Sequence, residues 1–102
     1  METQRKRHTM SRMNKIGSTA TNIRTENGET IVRYHSTDVV RFTAKKIVLN
    51  SGGWFTSTTK NRMNQTARQF DLGYGIYQLK GNWYVSFKGK TLGFENGITL
   101  NR

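Results

Sequence analysis

At 102 residues with a net charge of +11, the chain is sized for one domain and carries 17 Lys and Arg against six acids. It has no cysteine, which excludes disulfides, thiolate metal sites and cysteine nucleophiles, and fits a reducing compartment. A hydrophobic share of 33% supports only a small core, and no apolar run approaches the ~20 residues of a membrane helix.

The cation excess favours polyanionic partners and faster encounter with them, although a solvated basic surface is the plain alternative. Residues 1–17 hold Arg5, Lys6, Arg7, Arg12 and Lys15 with only Glu2 opposing them. Met10, Met13 and Ile16 recur every third residue and Gly17 is placed to stop a helix. Three apolar residues are too few to hold an isolated helix in water. The segment reads as a basic arm, either a disordered tail or a helix formed on a partner. No apolar stretch follows its cations, so it does not read as a secretory signal.

The following segments alternate as strands. Asn27-Gly28 supplies the two positive-φ positions of a type I′ hairpin turn, which sets Ile23 opposite Val32 and Thr21 opposite Tyr34. His35-Ser36-Thr37-Asp38 is a second turn. Val39 to Phe42 then reads as a strand with Val40 and Phe42 inward, and Ile47 to Leu49 as another. Gly52-Gly53 allows backbone angles closed to other residues. Ser57, Thr58 and Thr59 all suit a helix N-cap, and Met63, Ala67 and Phe70 form one narrow apolar stripe, predicting a helix over Thr58–Phe70. Asp71-Leu72-Gly73 closes it.

A second hairpin follows. A two-residue turn sets Trp83, Val85 and Phe87 beside Ile76, Gln78 and Lys80. A three-residue loop, Lys80-Gly81-Asn82, sets them beside Tyr77 and Leu79 and is expected because it gathers more apolar surface. Ile98 and Leu100 predict an edge strand within Gly93 to Leu100. The expected architecture is α+β: an antiparallel sheet with one amphipathic helix packed on it, a basic arm over residues 1–17 and a single domain over 18–102.

Catalytic chemistry is poorly provisioned. No two of Glu2, Glu26, Glu29, Asp38, Asp71 and Glu95 have spacing suited to a metal or to acid–base work, so no catalytic residue, metal site or cofactor is expected. Asp38 near His35 suits orientation of an imidazole, but a turn histidine is ordinarily a polar surface residue. Gly75-Ile76-Tyr77 followed by Tyr84-Val85-Ser86 invites comparison with GIY-YIG nucleases. The arginine-bearing helix and the downstream metal-binding glutamate of that family have no counterpart here, only Glu95 remaining. The threonines at the helix start ordinarily cap it; their alternative is a phosphate held on the free amides near Lys60 and Arg62. One of Trp54 and Phe55 is expected in the core, with Trp54 the better candidate for stacking on a base. Lys45, Lys46, Lys88 and Lys90 read as solvated turn and edge residues.

The block LNSGGWFTSTTKNRMNQ (Leu49 to Gln65), with LGYGIYQLKGNWYV (Leu72 to Val85) and the lead-in HSTDVVRFTAKKIVLN, resembles a family of small proteins encoded by tailed bacteriophages, with a GGWxTxTTKxRMNQ core. The likeness runs from Tyr34 to Phe87 and leaves the arm without a counterpart. It implies a phage protein working in the host-cell cytoplasm and includes Gly52, Gly53, Trp54, Thr58, Thr59, Lys60, Arg62 and Asn64 in the pattern.

Two functions follow as expectations. The first is nucleic-acid binding, DNA or RNA: Arg5, Lys6, Arg7, Arg12, Lys15, Thr58, Lys60, Arg62 and Arg68 hold phosphates, Asn61, Asn64 and Gln65 reach base edges, and Trp54 stacks. The second is inhibition of a host defence system, anti-CRISPR-like, through a host protein or nucleoprotein. A virion component is a third, weaker option. Oligomeric state is not legible in the sequence.

Overall fold

The computed structural model describes residues 15–102; residues 1–14, most of the arm, lie outside the described residues. The elements are β1 (Thr21–Glu26), β2 (Glu29–Tyr34), β3 (Thr37–Phe42), β4 (Lys46–Leu49), α1 (Ser57–Gln69), β5 (Tyr74–Leu79), β6 (Asn82–Phe87), β7 (Lys90–Gly93) and β8 (Ile98–Asn101). They form an antiparallel five-stranded sheet, β1-β2-β3-β4-β8, and an antiparallel three-stranded sheet, β5-β6-β7. The class is α+β, as expected.

The first hairpin turns at Asn27 (φ 52°) and Gly28 (φ 78°), and Ile23 faces Val32 as the turn dictates. Between Val32 and Arg33 the register with β3 slips by one residue. The slip leaves Val39 as an extra residue between Asp38 and Val40, and both valines are fully buried. Strict alternation turns only Val40 inward.

Thr56, in extended conformation, caps α1 by accepting from the Thr59 amide at 3.2 Å. The cap thus stands one residue before the candidates Ser57, Thr58 and Thr59. At the other end Asp71 enters the left-handed region (φ 54°), and the Leu72 amide donates to the Ala67 carbonyl.

The β5–β6 hairpin uses the two-residue turn Lys80-Gly81, both with positive φ, against the three-residue loop expected. Trp83 faces Gln78, Val85 faces Ile76 and Phe87 faces Tyr74. Apolar cross-strand neighbours do not decide this register, because burial comes from the layer opposite. Tyr74, Ile76, Trp83 and Val85 share the face that meets the core, while Tyr77 and Tyr84 stack on the outer face at 5.5 Å.

The C-terminal stretch divides. Lys90–Gly93 extends the second sheet, and Ile98–Asn101 crosses to pair with β4. A single core unites Val32, Val40, Ile47, Leu49 and Leu100 of the large sheet, Met63 and Ala67 of α1, and the inner residues of the small sheet. Phe70 meets Phe42 at a ring separation of 5.0 Å. Each fully buried Ile, Leu or Val contributes about 1.5–3 kcal/mol, so this layer outweighs any single polar contact.

Candidate nucleic-acid interface

The helix buries more than its apolar stripe. Arg62, Gln65, Thr59 and Thr66 are buried beside Met63 and Ala67. Arg62 donates from Nε to Thr21 Oγ1 (2.9 Å) and from Nη1 to Gln65 Oε1 (3.2 Å), and its guanidinium lies 5.4 Å from the centre of the Tyr34 ring. Gln65 Oε1 also accepts from the Gly17 amide, and Gln69 Oε1 from the Ile16 amide. These three side chains strap residues 16–21 along the helix. Gly17 fits because a Cβ there would touch the Arg62 guanidinium. Asn64 does the same work on the other flank, donating to the Ile76 carbonyl (2.9 Å) and accepting from the Ile76 amide (2.7 Å). Arg62, Asn64 and Gln65 are therefore tied to the protein's own backbone and side chains, not turned to solvent as the narrow stripe implied.

The rest of the proposed set is dispersed. Asn61 and Arg68 are exposed, and Thr58 and Lys60 half-buried. Lys60 and Arg68 stand eight residues apart, about 12 Å along the axis, so they do not form one cluster. Arg5, Lys6, Arg7 and Arg12 fall outside the described residues. Trp54 and Phe55 are both exposed, at 66% and 54%, where one of them was expected in the core. Phe55 rests edge-on against Trp83 (5.0 Å) and Phe94 (6.0 Å), so the Trp83 ring occupies the core position instead. His35 is exposed, and the Asp38 carboxylate is held by Arg33 at 2.8 Å, with Arg24 at 3.9 Å, not by the imidazole. Among the described residues no group of three acids and histidines is placed to hold a metal ion.

The electrostatics divide the surface in two. Arg24, Arg33 and Arg41 lie on the outer face of β1–β3 and are paired there with Glu26, Asp38 and Glu29. Hydrogen bonding from Arg41 holds the Glu29 carboxyl below its ordinary range, and Arg33 does the same for Asp38. Ile31, buried yet separate from the core, stands between Arg24 and Arg41 in the sheet register, a position that arginine stems can shield.

The other lysines and arginines make no ion pair among the described residues. Several share the end of the domain where α1 stops. The Arg102 amide donates to the Lys45 carbonyl, its guanidinium donates to the Thr43 carbonyl at 2.7 Å, and it lies 6.0 Å from the Phe42 ring that meets Phe70. Arg68 occupies the last helical turn, whereas Lys46 stands on the outer face of the large sheet, where its charge helps to lower the pKa of the Glu29 carboxyl. Lys15 precedes the Ile16–Gln69 bond at the same end. Lys88 and Lys90 flank the β6–β7 turn beside Phe87, which faces Tyr74 just after the helix. Asp71 is the one acid on the helix-ending loop. In the sequence Lys45, Lys46, Lys88 and Lys90 read as solvated turn and edge residues; the Phe42–Phe70 contact brings the loop of Lys45, and the pairing of Phe87 with Tyr74 the turn of Lys88 and Lys90, toward the end of α1.

Among the described residues, no helix is long and apolar enough to cross a membrane. No curated protein and no solved structure matches the chain. A family model does match, over residues 1–101, and so includes the arm that the Tyr34–Phe87 likeness left without a counterpart. On that match the chain belongs to a bacteriophage family, the Kyanoviridae Gp96 proteins.

Proposed function

We propose that this phage protein binds nucleic acid in the host-cell cytoplasm, through the cationic end of the domain and the arm that departs from it. The observation that supports this reading is the unequal distribution of charge. Glu26, Glu29 and Asp38 pair with arginines on the outer face of β1–β3, while Lys15, Lys45, Arg68 and Arg102 lie toward the helix end with no acid partner among the described residues. The strap of Gln65 and Gln69 anchors residues 16 and 17 there, and the sequence shortly before that anchor carries Arg5, Lys6, Arg7 and Arg12. Such a surface contacts phosphates and yields affinity with little sequence preference.

The test is binding of a fluorescent oligonucleotide across a salt series. Affinity falls with salt, and the triple replacement Lys15→Ala, Lys45→Ala, Arg68→Ala lowers the slope of log affinity against log salt by about 0.7–0.9 for each phosphate no longer neutralised. Binding indifferent to salt and to these replacements removes the reading.

The exposure of Trp54 and Phe55 favours a second reading, an inhibitor that docks on a host protein or nucleoprotein. Recovery of one host protein from lysate after nuclease treatment supports it; loss of all bound material on nuclease treatment supports the first.

A further inference from the structure

At the opposite end of α1 from the lysines, a cavity of about 370 Å³ opens between the β2–β3 turn and the loop that leads into the helix. Its size falls within the roughly 300–1,000 Å³ of small-molecule sites. The rings of Tyr34 and His35 line it from the turn, and Trp54 lines it from the loop. Ser36, Thr37 and Thr56 add hydroxyls, and no Lys, Arg, Asp or Glu takes part. An uncharged lining of aromatic faces and hydroxyls suits a flat, neutral heterocycle with a hydrogen-bonding edge. It does not suit a phosphate.

The loop is held in place from within. Ser51 is buried, its amide and hydroxyl donate to Asn96 Oδ1 at 2.8 and 2.9 Å, and its own Oγ accepts from the Gly53 amide. The Gly52 amide donates to Asn50 Oδ1 and the Trp54 amide to the Ser51 carbonyl. Gly52 presses on Thr37 so closely that a Cβ would collide with its side chain. On the facing side Tyr34 is backed by Arg62, and the His35 amide donates to the Ala20 carbonyl at 2.8 Å. An indole left 66% exposed on so constrained a loop adds little to the core and is already positioned for a stacking partner.

We propose that the cavity takes an unpaired nucleobase, stacked on Trp54 with its edge toward Ser36, Thr37 and Thr56. The assignment rests on the nucleic-acid reading and adds to it a preference for single-stranded, base-bearing chains.

The experiment compares a short single-stranded oligonucleotide with an abasic strand of the same length, on the full chain and on Trp54→Ala. Since Trp54 is exposed, the variant is expected to keep the wild-type melting temperature. The expected result is roughly tenfold tighter binding of the base-bearing strand, a preference that Trp54→Ala abolishes while abasic binding and its salt dependence persist. Equal affinity for the two strands, or a preference that survives Trp54→Ala, overturns the assignment. If neither strand binds, the nucleic-acid reading fails by itself. Neutral nucleosides at millimolar concentration then decide the cavity: a shift of the Trp54 indole N–H resonance, assigned with Trp54→Phe, supports it, and an unmoved resonance overturns it.

Discussion

Replacing Arg62 by Ala is expected to unfasten residues 15–21 and to leave nucleic-acid binding intact. The guanidinium makes two well-formed hydrogen bonds, to Thr21 at 2.9 Å and Gln65 at 3.2 Å, and a third to the Thr19 carbonyl at 3.5 Å, the limit of a useful contact. Hydrogen bonds from a charged group contribute about 1.5–3 kcal/mol each, and the Tyr34 contact about 0.5–2 kcal/mol. Against this stands the desolvation of a cation that is 8% exposed and has no carboxylate partner among the described residues, a cost that the alanine variant escapes. Thr19 is exposed and Thr21 half-buried, so both regain water when Arg62 is removed. The net loss is about 2–3 kcal/mol, which in a domain of this size lowers Tm by about 10–20 °C. Arg62→Lys keeps the charge but not the planar fork, and is expected to lose most of the same stability. Thermal melts read the effect, and amide exchange places it in residues 15–21. An Arg62→Ala variant that melts within about 2 °C of the parent and binds oligonucleotide with a flatter salt dependence refutes this account, because it means that the side chain points to solvent.

The paired glycines separate two causes of cost. Both have positive φ, +66° at Gly52 and +87° at Gly53, but a Cβ on Gly52 meets Thr37 and one on Gly53 meets open space. Gly53→Ala is expected to cost about 1–2 kcal/mol from backbone conformation alone, and Gly52→Ala distinctly more, read by denaturant midpoint; equal costs contradict the packing argument. The paired acids set a pH dependence. Hydrogen bonding from Arg41 and Arg33 lowers the folded-state pKa of Glu29 and Asp38, so the folded protein binds fewer protons than the unfolded chain through the carboxylate range. Their stabilisation is fully present above the unfolded pKa values, about 4, and is lost as pH falls through the depressed folded values. Wild type is expected to lose Tm between about pH 5 and 2 more steeply than an Arg33→Gln, Arg41→Gln double variant, and high salt narrows the gap; parallel acid profiles count against the pairing.

What the sequence alone determined about this protein is what depends on near neighbours. Asn27-Gly28 dictates a turn because only a few residues tolerate positive φ at two successive positions, and that turn specifies the register of Ile23 against Val32. Alternation in β6 and the Met63–Ala67–Phe70 stripe identify a strand and a helix whose ends are right to within a residue or so. Tertiary structure alone decided which surfaces these elements bury. The slip at Val39, the pairing of Val85 with Ile76 and the passage of β8 to β4 follow from what each face meets across the core, often dozens of residues away. The same holds for function. Arg62 and Asn64 share their residue types with Arg68 and Asn61, and nothing in their local spacing separates those that hold the fold from those that face water. Whether a polar side chain is buried is settled by the partner brought opposite it, and only the folded chain supplies that partner.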